Sequence, residues 1–145
     1  MILSLVLDTD VVVAGFRSER GASRQILLTA LQERFELLVS VPLFLEYEAV
    51  LTRPEQLAAM GASQVEVLAL LDKIIAVAVP VSFSFRWRPA LFDQSDDMVL
   101  ETAVNGGATA IVTFNRRDFL LVPKQFHCAV LSPSQALEWL RRSEQ

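Results

Sequence analysis

The sequence holds one cysteine, Cys128, and one histidine, His127. A single thiol excludes an intrachain disulfide and fits a reducing cytoplasm. One imidazole beside one thiol falls short of the roughly four N/S ligands that structural zinc takes. A Ser-His-Asp triad would have to depend on His127, and no Gly-x-Ser-x-Gly elbow is present to carry a nucleophile. Lysine is scarce: Lys73 and Lys124 are the only two, and every other cation is arginine. Arginine suits bidentate phosphate contacts and protein interfaces alike, so the bias permits an RNA ligand without selecting it. Long apolar runs are missing as well. None reaches the roughly 18 residues of a membrane span, since Glu46 and Glu48 interrupt one candidate and Asp72 and Lys73 another. No basic stretch precedes Asp8 and Asp10, so a signal peptide is not expected and a cytoplasmic location is.

What is present points to a small enzyme-sized unit. The 145 residues suit one domain, 1–145, large enough to close a core around a sheet. The hydrophobic share is 52 % and the mean hydropathy is positive. So apolar a chain is expected to bury surface against a second copy of itself or a partner. The net charge of −4 excludes nucleic-acid binding through the overall field, so any such binding must be local.

Strand and helix patterns alternate along the whole chain. Leu3 to Leu7 is a short apolar run followed by a helical pattern through Val13, and Arg17 to Gly21 is turn-like. Helical spacing returns from Gly21 to Arg34, then strand character from Phe35 to Val39. Ser40 followed by Pro42 predicts a helix start, with the helix running to about Thr52. Ser63 with Glu66 has capping-box spacing and opens a helix through about Ala76. Val77 to Val81 reads as strand, and Ser82 to Leu91 as irregular or edge-like. Ser95 is placed to cap a helix beginning at Asp96 and Asp97 and ending at Gly106–Gly107. Thr109 to Thr113 and Ala129 to Leu131 read as strands, Asn115 to Phe119 as a turn, and Ser132-Pro133-Ser134-Gln135 as the opening of a last helix. The pattern predicts an α/β domain with a mostly parallel sheet of four or five strands.

In such sheets ligands gather at the carboxyl ends of the strands. Acids recur there: Asp8 ends the first strand, Glu46 follows the second, Asp96 and Asp97 precede the fourth, and Asp118 follows it. Carboxylates converging in one cleft repel by about 4 kcal/mol per pair at 4 Å and an effective dielectric near 20. Either their pKa values rise or a divalent cation neutralises them. Oxygen-only ligands select Mg²⁺ or Mn²⁺ over zinc, and such a site can activate water against a phosphodiester. Each acid also has a structural account. Asp96 and Asp97 suit any helix N-terminus, and Asp8-Thr9-Asp10 could be a turn with a cap. Glu46 and Glu48 lie about equally far from the apolar face of their helix, and periodicity does not choose between them.

Four ordered blocks carry a resemblance. Val6-Leu7-Asp8-Thr9-Asp10-Val11-Val12-Val13 resembles the opening of PIN-domain proteins, usually Leu-Asp-Thr-Asn-Val. Leu38-Val39-Ser40-Val41-Pro42 with Leu45-Glu46-Tyr47-Glu48 through Pro54 is similar to the second block of that family. Asp93-Gln94-Ser95-Asp96-Asp97 with Leu100-Glu101-Thr102-Ala103 and Gly106-Gly107-Ala108 resembles the third, and Ile111-Val112-Thr113-Phe114-Asn115-Arg116-Arg117-Asp118-Phe119 the fourth. The likeness spans about residues 3 to 135 and looks most like the toxin components of bacterial toxin–antitoxin pairs, the VapC-like ribonucleases. It implies a three-layer α/β/α fold and a Mg²⁺- or Mn²⁺-dependent endoribonuclease, commonly dimeric and inhibited by a small antitoxin protein. It places the catalytic, metal-holding acids at Asp8, Glu46 and Asp96, with Asp97 as a lesser neighbour. The usual fourth acid position holds Asn115, and Asp118 fits the variant Thr-x-Asn-x-x-Asp-Phe. Asp10 stands where Asn is usual, and Gln94 where Pro is common. Thr113 belongs to the same block, and Arg116 and Arg117 flank the site as candidate phosphate contacts or as ordinary solvated charges.

Two other readings compete. Asp8-x-Asp10 after an apolar strand fits the first motif of haloacid-dehalogenase-type phosphohydrolases, but the downstream lysine and acidic pair that chemistry needs are not suitably placed. A PIN fold kept as a binding module with a weakened metal site is motivated by Asn115 alone. Phe83-Ser84-Phe85-Arg86-Trp87-Arg88 interleaves aromatics and arginines as RNA-stacking surfaces do, yet it also alternates at strand period.

Overall fold

Strands buried on both faces need continuous apolar runs, and three segments supply them. Leu5, Val6 and Leu7, then Leu37, Leu38 and Val39, then Ala110, Ile111 and Val112 are all buried. A computed structural model describes residues 2–83 and 94–145, the side chains of residues 94–96 excepted. Its elements run β1 (Ser4–Leu7), α1 (Thr9–Arg17), α2 (Ala22–Leu31), β2 (Glu36–Val39), α3 (Val41–Leu51), α4 (Pro54–Met60), α5 (Gln64–Ala76), β3 (Val79–Pro80), α6 (Gln94–Gly106), β4 (Ala110–Val112), a 3₁₀ turn (Arg116–Phe119), α7 (Val122–Phe126), β5 (Ala129–Leu131) and α8 (Pro133–Ser143). Among the described residues the sheet has five strands in the order β3-β2-β1-β4-β5, every pair parallel. With its flanking helices it is the α/β architecture expected from the sequence, with all five strands parallel rather than most of them.

The strand order sets where a ligand can sit. The chain proceeds outward from β1 through β2 to β3, then returns to the other side of β1 for β4 and β5. The order therefore reverses between β1 and β4, and the crevice outside their carboxyl ends is the topological switch point. Leu7 lies level with Val112 across that seam, so the residues that follow each, Asp8 and Thr113, emerge side by side.

Capping chemistry fixes most helix starts. Ser40 accepts from the Leu43 N–H, and the Ser63–Glu66 and Ser132–Gln135 boxes form both of their reciprocal bonds. Gly15 lets α1 approach α2 closely, since a Cβ there would collide with Leu27. Several elements differ from their sequence reading. The helix after β1 runs on to Arg17, and β3 shrinks to two residues. Helix α6 begins at Gln94, so Ser95 lies in its first turn and does not cap it. Helices α4 and α7 are additional. Among the described residues no helix is long and apolar enough to cross a membrane.

Candidate active site

Asp8 is the N-cap of α1 at the carboxyl end of the central strand, and it is 6 % exposed. Its Oδ1 accepts from the Thr9 backbone N–H at 2.8 Å, and its Oδ2 accepts from the Thr113 hydroxyl at 2.7 Å. The Asp8 N–H donates to Val112 O at 2.9 Å, which continues the β1–β4 ladder one step into the site. Thr113, fully buried, serves twice: its hydroxyl donates to Asp8 and accepts from the Asn115 N–H at 2.9 Å. Behind them the Tyr47 hydroxyl donates to Leu7 O, tying α3 to the end of β1. Burial first and the Asp8 charge second push the Tyr47 phenol well above its ordinary pKa, so it stays a donor.

Asp10, two residues on, is held differently. Its Oδ2 accepts from the Asn115 side-chain amide at 3.1 Å and from the Phe114 N–H at 3.3 Å, bridging α1 to the loop after β4. Its Oδ1 is buried and has no hydrogen-bond partner among the described residues. Burial is the main cause lifting the Asp10 pKa from 3.8 to about 7, followed by repulsion from Asp8 and, least, from Asp118, against the lowering effect of the Phe114 and Val11 N–H groups. Asp10 thus gathers charge from both sides of the seam. Asn115, neutral at every pH, spends its amide on that carboxylate.

The remaining acids come from the helices. Glu46 is half-buried on α3, and so is Glu48. On α6 Asp97 is 4 % exposed and Glu101, one turn on, is completely buried. Helix α6 is tied to the end of β2 by a 2.7 Å hydrogen bond between the Ser40 and Thr102 hydroxyls. Since the Thr102 hydrogen goes to Met98 O, Ser40 is the donor. Asp96 lies on the same helix, but its side chain lies outside the described residues, as do residues 84–88 of the aromatic–arginine stretch. Asp118 is exposed in the 3₁₀ turn and reaches the cluster through its field on Asp10. Arg117 is exposed, and Arg116 donates to Gln135 at 3.2 Å, which turns it toward the start of α8. The buried Glu101 was not picked out from sequence as a site residue. Its spacing of four from Asp97 was the available signal, because acids one turn apart share a helix face.

The sequence profile of the PIN domain matches residues 4–117. The chain belongs to the PIN-domain family. Such domains are generally nucleases and typically use divalent metal ions. No curated protein matches the chain. The PIN match takes in Asp8, Glu46, Asp96 and Asn115 and ends one residue before Asp118.

Whether this PIN domain suits a divalent cation is a question of its donors. Among the described residues, no three His, Cys, Asp or Glu groups already form a metal cage. The donors are nevertheless all oxygens, which suits Mg²⁺ or Mn²⁺, and Asp10 contributes a buried oxygen, Oδ1, without a hydrogen-bond partner among the described residues. Soft ligands are absent from the cluster: Cys128 packs in the core, where burial lifts its thiol to about 11, and His127 ends α7 on the surface. The residues fit the cation.

Beside the acids lies a groove of about 680 Å³, walled by α1, by Val50 and Gln56 and by Phe114. Arg17 stands on its wall, exposed in the last turn of α1.

Proposed function

We propose that this chain is a Mg²⁺- or Mn²⁺-dependent endoribonuclease of the VapC-like kind, the toxin component of a toxin–antitoxin pair. The observation that carries the reading is the pair of carboxylates, Asp8 buried and Asp10 half-buried, at the switch point of a PIN domain. In this reading Asp8, Glu46 and Asp96 hold the cation, and Asp118 approaches from the solvent side. A bound divalent cation supplies charge to neutralise the phosphodiester and lowers the pKa of water beside it. The protein does the positioning. Two donors, the Thr9 N–H and the Thr113 hydroxyl, lock the Asp8 carboxylate so that it need not reorganise when substrate arrives. Asn115 and Phe114 fix Asp10 across the seam, where it can hold or release a proton near neutral pH. The apolar composition and the exposed Val41, Leu45, Leu120 and Leu121 suit a homodimer, an antitoxin partner, or both.

The catalytic test is direct. Purified protein should cleave single-stranded RNA with Mn²⁺ or Mg²⁺ and not in excess EDTA. Asp8→Asn should abolish cleavage while circular dichroism shows the fold kept, because Asn caps a helix as well as Asp does, with a lower melting temperature because an NH2 replaces the oxygen that accepts from Thr113. Undiminished cleavage in EDTA or in Asp8→Asn would defeat the reading. A second reading, a binding module with a weakened metal site, draws on Asn115 standing where an acid is usual. RNA binding without cleavage under any divalent ion would favour it.

A further inference from the structure

Three buried polar atoms without a hydrogen-bond partner belong to residues that line one groove: Thr9 Oγ1, Asp10 Oδ1 and Gln56 Oε1. Leaving such atoms unpaired is costly, and a native site that tolerates several is one that a ligand or ordered water completes. Thr9 is itself more than nine-tenths buried. The atoms come from two separate elements, the first turn of α1 and α4, so no single strained loop accounts for them.

The rest of the groove has complementary chemistry. Phe114 is 54 % exposed on its wall, a large apolar ring left in water immediately after the buried Thr113. Arg17, exposed on the wall of the same groove, brings a cation. A planar ring, a guanidinium and hydroxyl or amide hydrogen-bonding groups are what a single-stranded nucleotide meets on a protein. The base stacks on the aromatic face, the phosphate meets the cation, and the ribose hydroxyls or base edge meet the polar atoms. The volume of about 680 Å³ is in the range of small-ligand clefts. The acidic end is shared with the candidate active site, because Asp10 belongs to both.

We propose that this groove is a nucleotide-binding subsite that holds one residue of single-stranded RNA adjacent to the bond being cut, with Phe114 as the stacking platform, Arg17 as the phosphate contact and Thr9 and Gln56 as hydrogen-bonding groups. The proposal deepens the ribonuclease reading and rests on it for the identity of the ligand. It separates two tasks that the sequence runs together. Asp8 and its neighbours do chemistry on the phosphodiester, and the groove fixes which strand conformation, and which neighbouring base, can be presented.

The test measures binding apart from cleavage. A fluorescent six-nucleotide single-stranded RNA is titrated with protein in EDTA, and initial cleavage rates are then measured with Mn²⁺. Phe114→Ala and Arg17→Ala should each weaken binding in EDTA by about ten-fold, the order expected for one stacked base or one phosphate contact. Gln56→Ala should weaken it less. With Mn²⁺ the same variants should raise KM for the hexanucleotide by the same factors. Val65→Ala, at an exposed apolar residue of α5 outside the groove, should bind as wild type does. Because Phe114 and Arg17 are exposed, their loss should leave the melting temperature unchanged. Wild-type affinity in both Phe114→Ala and Arg17→Ala would overturn the subsite, as would equal weakening in Val65→Ala. A protein that binds the RNA through the groove but cleaves nothing would keep the subsite and defeat the nuclease reading. One that cleaves with unaltered KM in every groove variant would do the reverse.

Discussion

Acids gather in two places on this molecule, and the two are built in opposite ways. At the carboxyl end of the chain, Glu138 and Glu144 each lie against an arginine in water. Arg34 Nε donates to Glu144 at 2.8 Å, and Glu138 accepts from Arg141 at 2.6 Å and from Arg142 at 3.4 Å. These groups are substantially exposed. At the switch point, Asp8 and Asp10 are held instead by backbone N–H groups, a hydroxyl and an amide, donors that carry no net charge. Among the described residues no arginine or lysine pairs with Asp10. The exposed set is neutralised by its own partners, so its charges are balanced before any ligand arrives. Asp10, at the switch point, is oriented but not neutralised by these donors. That leaves its negative charge available to a cation from solution, at a cost visible in the pKa of Asp10.

Thr113→Val should separate the two regions most sharply. Valine keeps the shape but removes the donor to Asp8, which is buried, and the acceptor for the Asn115 N–H, which is part-buried. A loss of about 2–3 kcal/mol in urea unfolding is expected, along with most of the nuclease activity. Thr113→Ser should recover much of both. An unchanged midpoint would mean that the seam does not depend on this hydroxyl.

The next effect is on pH dependence in EDTA. Folding raises the Asp10 pKa from 3.8 to about 7, so between those values the native state binds more protons than the unfolded chain. The resulting stabilisation is fully present below the unfolded pKa and is lost as pH rises through about 7. Glu66 and Glu144, lowered by their hydrogen bonds to Ser63 and Arg34, act in the opposite direction and at more acidic pH. The melting temperature should therefore fall from pH 5 to pH 8, and Asp10→Asn should flatten that slope. An equal slope in the variant would assign the effect elsewhere.

Arg34→Ala should do least. It removes an exposed pair whose Coulomb energy is screened by solvent, and no measurable change in melting temperature or cleavage is expected. A clear loss of either would show that the α8 face communicates with the site.

Much of this was legible in the chain itself, for physical reasons that can be named. Asp8 was found because a buried parallel strand is a continuous apolar run, and the first polar residue after it must mark the strand's end. Ser40 with Pro42, Ser63 with Glu66 and Ser132 with Gln135 announced their helices because caps act through local chemistry. Helix α4 went unread because it is only seven residues long and lays Leu57 and Met60 against the core without fully burying any residue, too short a pattern for helical periodicity to show. Its signal lay in punctuation instead, Pro54 at the start and the left-handed Gly61 at the end. The hydrogen bond between Asp10 and Asn115 was not legible at all. Both residues stood out as departures from the usual motif, but only the parallel pairing of β1 with β4 brings positions 105 residues apart into contact.

That separation also sets a timetable. The central strand is made first, yet its neighbour β4 and the residues that orient Asp8 and Asp10 follow about a hundred residues later. During synthesis at some 5–20 residues per second, several seconds pass in which β1 and its acids exist without Thr113 or Asn115. Contacts of such long range form late in folding, because loop closure must precede them. A ribosome-bound chain therefore carries the carboxylates of a nuclease without their geometry.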